Sequence, residues 1–173
     1  MNKPQPHHLV IFSHGKESGP WGGKITRLAE VASTCGCDIL SVDYQGMESA
    51  EQRITTCLDS IPEISGKLIL VGSSMGAYVS IEVSQQVNPA GLFLLAPALG
   101  IPGYPNPSPK AVATSISVSH GWHDELIPAQ VATNWAREHN ATCHLYNDDH
   151  RLLNVIDQIC VEFRYFLDSL LAV

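Results

Sequence analysis

Short apolar runs recur along the chain, and longer segments of helical periodicity separate them. The runs are Leu9–Ser13, Ile39–Val42, Leu68–Val71, Leu92–Leu95, Ile116–Ser119 and His144–Tyr146. Several are almost continuously aliphatic, as expected of parallel strands buried on both faces. Between them, Trp21, Ile25, Leu28, Ala29 and Ala32 fall on one helical stripe. Met75–Val87 and Leu126–His139 predict two further helices, and Glu48–Leu58 a weaker one. From Leu152 to Leu171, apolar residues return at Val155, Ile156, Ile159, Cys160, Phe163, Phe166, Leu167 and Leu170, the spacing of an amphipathic helix. Strand and helix alternating throughout predict an α/β protein: a three-layer α/β/α sandwich around a six-stranded, mostly parallel sheet. No repeat, low-complexity tract or linker interrupts the pattern, so residues 1–173 are expected to form one domain.

One stretch breaks the alternation. Pro97–Ala113 holds five prolines and two glycines. Prolines remove N–H donors and fix φ, so neither a helix nor a central strand fits there. A long ordered loop is expected, either a surface connection or a cover over a site.

Bulk properties narrow the classes. Apolar residues make up 45% and charged residues 16% of 173 positions, a balance that fits a folded globular chain. The net charge of −7, with ten scattered Lys and Arg, argues against nucleic acid or an anionic membrane as a main partner. No segment approaches a membrane span. The opening Met-Asn-Lys-Pro-Gln-Pro-His-His has no signal-peptide core. Together with five cysteines, an odd number, this predicts reduced thiols and a cytoplasmic protein. Cys35-Gly36-Cys37 is too tightly spaced for a zinc knuckle, and the eight histidines contain no i, i+4 pair. No metal or cofactor is expected; oligomeric state is not legible.

The candidate chemistry gathers after the strand ends, where open α/β sheets bind ligands. Ser13-His14-Gly15-Lys16 follows the first run, Gly72-Ser73-Ser74-Met75-Gly76 the third, His123-Asp124-Glu125 the fifth and Asp148-Asp149-His150 the sixth. The second of these fits G-x-S-x-G in the strand–turn–helix context that a nucleophile elbow requires, with glycines removing side chains that would collide in the turn. The five-residue pattern alone is common by chance; strand, elbow and helix together are far more specific. A serine hydroxyl needs an adjacent base, and the base needs a third group to hold its tautomer. Ser74, Asp124 and His150 occur in the chain order Ser…Asp…His.

These segments carry a family resemblance. Gly-Ser-Ser-Met-Gly, His-Asp-Glu-Leu-Ile-Pro (123–128) and Asp-Asp-His-Arg-Leu (148–152) resemble the nucleophile, acid and histidine segments of small α/β-hydrolases. His-Gly-Lys-Glu-Ser-Gly-Pro (14–20) resembles their oxyanion loop. The likeness spans essentially the whole chain and is nearest to compact bacterial members. It implies a minimal α/β-hydrolase core that begins at what is usually the third strand and lacks a helical cap, leaving the site open or lightly covered.

Residue by residue, Ser74 is the expected nucleophile, against the plainer alternative of a small residue packing a turn. Asp124 is the expected acid, with Glu125 as rival. His150 alone lies between the last strand and the last helix, where the base belongs. Met75, after the nucleophile, should supply one backbone N–H to an oxyanion hole and Lys16 the second, with Glu17 as fallback. His14 should orient that loop, and His120 and His123 flank the acid. Glu17, Leu99, Ile101 and Tyr104 are candidate substrate contacts, although the loop residues among them serve equally well as anchors into the core. Two function classes follow. The first is a serine hydrolase of small esters or thioesters working through an acyl-enzyme, with amide cleavage as a variant. The second is a non-catalytic binding protein on the same fold.

Overall fold

The computed structural model describes residues 7–172. Residues 1–6, which carry most of the segment read as lacking a signal peptide, lie outside the described residues. Six strands and five helices alternate: β1 (Leu9–Ser13), α1 (Gly23–Thr34), β2 (Asp38–Val42), α2 (Ala50–Ser60), β3 (Leu68–Ser73), α3 (Met75–Val87), β4 (Gly91–Leu95), β5 (Ser115–Gly121), α4 (Ala129–Glu138), β6 (Thr142–Tyr146) and α5 (Ile156–Leu171). The sheet order is β2-β1-β3-β4-β5-β6. Every neighbouring pair is parallel.

The apolar runs explain why the central strands carry two cores. Along a strand, side chains alternate between faces. Val10, Phe12, Ile69, Val71, Phe93 and Leu95 face one way and pack with α1 and α5. Leu9, Ile11, Leu68, Leu70, Leu92 and Leu94 face the other and pack with α2, α3 and α4. A strand apolar at every position therefore has to lie between two helix layers, and β1, β3 and β4 are buried along their whole length. The edge strands β2 and β6 are only partly covered, and their runs are correspondingly mixed.

Four predicted helix starts are later than expected, and α2, expected from Glu48, begins at Ala50 with the Ser49 hydroxyl capping it by accepting from Gln52 N–H. The 126–139 segment becomes helical only at Ala129, because the Asp124 carboxylate accepts from the Leu126 and Ile127 N–H groups and Pro128 disfavours helical backbone at Ile127. The last helix begins at Ile156 rather than Leu152, which has φ 56°. Trp21 was expected on the stripe of α1, yet it precedes the helix and is 55% exposed. Pro97–Ala113 contains no helix or strand. It is pinned by Gly100 N–H to the Pro107 carbonyl, Asn106 N–H to the Tyr78 hydroxyl and Trp135 Nε1–H to the Pro109 carbonyl.

Strand order reverses between β1 and β3, since β2 flanks β1 on one side and all later strands follow on the other. The carboxyl ends of these two strands carry His14–Lys16 and Ser74, so both segments open at the switch point of the sheet.

Candidate active site

Ser74 occupies the one-residue turn between β3 and α3 with φ 55° and ψ −117°, a conformation costly for a residue with a Cβ. The surroundings hold it there. Ser74 N–H donates to the Leu95 carbonyl, and the Ser74 carbonyl accepts from Ala77, Tyr78 and Ala98. A Cβ at Gly76 would collide with the Ser13 carbonyl, and one at Gly72 with the Gly76 carbonyl and the Ala77 backbone. The two glycines thus let β1, β3 and the first turn of α3 close on one another. Ser74 itself stays partly exposed while its neighbours Ser73 and Met75 are buried.

From this turn a chain of side-chain contacts runs across the carboxyl edge. The Ser74 hydroxyl lies 2.9 Å from His150 Nε2, and His150 Nδ1 lies 2.6 Å from Asp124 Oδ2. Asp124 is buried after β5. Its Oδ1 accepts from Leu126 N–H at 2.9 Å and from Ile127 N–H at 2.8 Å, so the same turn that delays α4 also aims Oδ2 at the imidazole. Burial alone would raise the Asp124 carboxyl. The hydrogen bonds from His150 and Ile127, with the nearby His150 and His120, outweigh it and leave the group below its ordinary value. Glu125, the rival acid, is exposed.

The loop presenting His150 is organised by Asp148, a buried carboxylate that accepts from Asp149 N–H, Asn154 N–H and the Asn154 side chain. It is stitched to the acid loop by Trp122 N–H to the Tyr146 carbonyl and His123 N–H to the Asp148 carbonyl. His120, expected to flank the acid at the rim, is instead fully buried: Nε2 donates to the Ile127 carbonyl at 2.8 Å and sits 3.3 Å from Asp124 Oδ2. Burial depresses its pKa, opposed by the Ile127 contact and Asp124. His123 is exposed and bonds Asn147.

On the other side of Ser74, His14 and Gly15 are buried, while Lys16 and Glu17 are exposed. Gly15 lies against the elbow; a Cβ there would be 3.6 Å from that of Ser74. His14 Nε2 accepts from Tyr44 N–H at 2.8 Å, which leaves Nδ1 to donate to the Gly15 carbonyl at 2.8 Å. The Lys16 side chain pairs with Glu48 at 2.8 Å. Among the described residues, the Lys16 N–H makes no hydrogen bond. Met75, as the first residue of α3, has no intrahelical acceptor for its own.

The candidate contacts in the Pro-rich loop separate. Leu99 is buried in the core beneath α2 and α3. Ile101 and Tyr104 are half-buried against Met75, Tyr78 and Ala98, beside the elbow, with the Tyr104 ring 4.6 Å from that of Tyr78.

The alpha/beta hydrolase family model matches residues 10–165. The chain belongs to that family. Its fold is similar to that of a candidate α/β-superfamily hydrolase from Xanthomonas campestris pv. campestris, at 34% identity and TM-score 0.83, covering 94% of this chain and 99% of that one. Two more distant likenesses show the shared fold. Est1E from Butyrivibrio proteoclasticus is 14% identical with TM-score 0.78, over 99% of this chain and 91% of that one. A serine hydrolase without a lid from Xanthomonas campestris is 18% identical with TM-score 0.69, over 94% and 81%. No curated protein matches the sequence significantly. Among the described residues of this alpha/beta hydrolase, no helix is long and apolar enough to cross a membrane.

Two charged residues of the hydrolase escaped the sequence reading. Lys24, in the first turn of α1, is half-buried, and that burial lowers its pKa to about 8 despite Asp149, Asp148 and Asp124 nearby. Nothing in its local sequence sets it apart from an exposed helix lysine. Arg53, in α2, is 2% exposed. It did carry a signal: with Ala50 and Cys57 it occupies the inward stripe of its helix. A groove of about 620 Å³ between β5, β6 and α5, lined by Ser117, His144, Glu162 and Phe166 among others, includes none of the residues around Ser74.

Proposed function

We propose that this alpha/beta hydrolase is a serine hydrolase of small ester or thioester substrates that works through an acyl-enzyme. The observation that supports it best is the unbroken contact chain Ser74 Oγ–His150 Nε2, His150 Nδ1–Asp124 Oδ2, built on a strained turn. Strain held at a partly exposed serine, with an imidazole at hydrogen-bond distance and a buried carboxylate behind it, is the arrangement nucleophilic catalysis needs.

In the first step Ser74 Oγ attacks the substrate carbonyl while its proton passes to His150 Nε2. Asp124 holds Nδ1–H and stabilises the imidazolium without taking the proton itself. The carbonyl oxygen, now an anion, is met by the unpaired N–H groups of Met75 and Lys16, the former also at the positive end of α3. His150 then returns the proton to the departing alcohol or thiol, leaving an ester on Ser74. Water repeats the sequence: it attacks the acyl carbon, gives a proton to His150, and the acid leaves as Ser74 recovers that proton. Ile101 and Tyr104 wall the acyl side.

A fluorophosphonate probe tests the reading. Wild type should be labelled at Ser74, identified by peptide mass mapping, and should hydrolyse p-nitrophenyl butyrate; Ser74→Ala should do neither. Labelling at another residue would reassign the nucleophile. An unlabelled, inactive but folded wild type would favour a binding protein on the hydrolase fold.

A further inference from the structure

Arg53 is a buried cation whose surroundings hold no carboxylate within ion-pairing distance among the described residues. Among the described residues its only hydrogen-bond partners are carbonyl oxygens. Nε donates to Met47 at 2.9 Å, and Nη1 donates to His14 at 3.2 Å and to Gly15 at 3.3 Å. The guanidinium carbon lies 5.3 Å from the centre of the Tyr44 ring. Burying an arginine this way is costly, and a leucine or methionine would fill the stripe of α2 at lower cost. The side chain therefore needs a reason beyond packing.

Peptide geometry supplies one. The Gly15 carbonyl and the Lys16 N–H belong to the same planar, trans peptide unit and point in opposite directions. The Gly15 oxygen is held by three side-chain donors, His14 Nδ1 at 2.8 Å, Arg53 Nη1 at 3.3 Å and the longer Ser18 Oγ contact at 3.5 Å. Fixing that oxygen on the Arg53 side fixes the Lys16 N–H on the opposite side, and the Lys16 N–H has no acceptor among the described residues. The neighbouring His14 carbonyl, held by the same nitrogen, stops the preceding peptide from turning over. His14 is in turn locked by Tyr44 N–H, and the Tyr44 hydroxyl lies 2.9 Å from Ser13 Oγ.

We infer that Arg53 is a positioning residue, which clamps the Gly15–Lys16 peptide so that the Lys16 N–H is preset as an oxyanion donor. The inference rests on the serine-hydrolase reading above. Without Arg53, only His14 and the long Ser18 contact restrain the peptide, and the donor has to be reoriented during the reaction rather than before it. The loss falls on the transition state, because the ground-state carbonyl makes little use of that donor.

The test compares wild type, Arg53→Met and Arg53→Lys as full-length proteins, with kcat and KM for p-nitrophenyl butyrate, affinity for a trifluoromethyl ketone, and hydrogen exchange of residues 14–18. Removing a whole oxyanion donor costs about 10²–10³ in kcat, so loosening one should cost about 10–100-fold. Arg53→Met should lose kcat by that factor with KM within about threefold. Ketone affinity should fall in parallel and exchange in 14–18 should accelerate. Arg53→Lys, which keeps the charge but not the fork, should fall between. If Arg53→Met does not fold, the Arg53→Lys split between kcat and KM decides, since that variant keeps a buried donor. Unchanged kcat in a folded variant, even one with a lower melting temperature, would make Arg53 merely structural and overturn the inference. A raised KM with kcat intact would make it a substrate ligand, which also overturns it. Wild type unlabelled by fluorophosphonate would remove the serine-hydrolase reading and this inference with it, whereas labelled wild type beside an unimpaired Arg53→Met removes this inference alone.

Discussion

The two flanks of Ser74 are built from different materials. On the β5–β6 flank, charged and titratable side chains touch directly: His150 lies between the serine hydroxyl and Asp124, and a second carboxylate, Asp148, folds the loop that carries it. On the β1 flank, among the described residues, no side chain hydrogen-bonds the serine hydroxyl. There the groups of interest are backbone N–H bonds; the buried side chains of His14 and Arg53 hold carbonyls and an amide in place, and the Tyr44 hydroxyl meets Ser13 Oγ behind them. In the proposed mechanism one flank moves protons and so depends on residue identity. The other offers fixed dipoles and so depends on rigidity. A substitution on the first removes chemistry outright; one on the second degrades alignment.

The largest effect should come from the atom the flanks share. Ser74→Ala removes one partly exposed oxygen and relieves no packing, so the fold should survive while turnover drops by about 10⁴-fold or more. Steady-state hydrolysis alongside a thermal melt checks both halves. Retained turnover would mean that the contact chain is not the reaction path.

Next comes a pair that separates position from charge. Asp124→Asn keeps the shape but reverses the hydrogen-bond logic at His150 Nδ1, favouring the wrong tautomer, and should cost about 10³–10⁴ in kcat. Glu125→Gln removes an exposed carboxylate one residue away and should stay within about threefold. Similar losses from the two would move the acid to Glu125 or to a shared role. The same variant sharpens a stability argument. The Asp124 carboxyl sits below its ordinary value, so its contribution is present above the usual carboxylate range and is lost as pH falls through the depressed value. The gap in melting temperature between wild type and Asp124→Asn should therefore narrow in acid.

Each flank also buries one neutral histidine, His14 and His120, and burial lowers the pKa of both. In the unfolded chain these imidazoles take up protons below about pH 6.5, whereas the folded protein resists. Stability should thus begin to fall as pH drops below about 6.5, before the carboxylates titrate. His120→Gln and His14→Gln will each lower stability at pH 8, because each leaves a buried partner less well met, but should flatten this decline. A decline of wild-type slope in both variants would put the acid sensitivity elsewhere.

Much of this was visible in the chain because it rests on local rules. Apolar runs marked buried strands, and Gly72 and Gly76 marked a turn too tight for side chains. The order serine, aspartate, histidine after the ends of β3, β5 and β6 marked one edge. What stayed hidden depends on which group, near or far in sequence, captures a given side chain or N–H. The apolar period of 126–139 does not tell that α4 must wait until Ala129, since the cause is the Asp124 carboxylate capturing the N–H groups two and three residues ahead. Trp21 satisfied the period of α1 and still lies outside it, 55% exposed, because Gly22 and Gly23 start the helix late. Arg53 stood on an inward stripe, yet two of its three acceptors are 38 and 39 positions away in sequence. His120 looked like a rim residue because it precedes the acid loop, whereas the end of β5 carries its ring into the core.

The smallest expected effect concerns the length of the acyl chain. The loop between β4 and β5 has no helix, and of its apolar residues Leu99 is already spent on the core. Ile101 and Tyr104 remain beside Met75 and Tyr78 as the wall nearest the elbow. Each methylene sheltered there adds about 0.8 kcal/mol, roughly fourfold in kcat/KM, but only as long as wall remains to cover it. Across p-nitrophenyl acetate, butyrate, hexanoate, octanoate and laurate, kcat/KM should rise over the first members and then level off. Ile101→Ala should move the plateau to shorter chains by about one or two carbons while leaving the acetate rate within about twofold, because acetate does not reach the wall. A rise continuing through laurate would require apolar cover that this loop does not provide. An equal loss on acetate and octanoate would mean that Ile101 supports the elbow rather than the acyl chain.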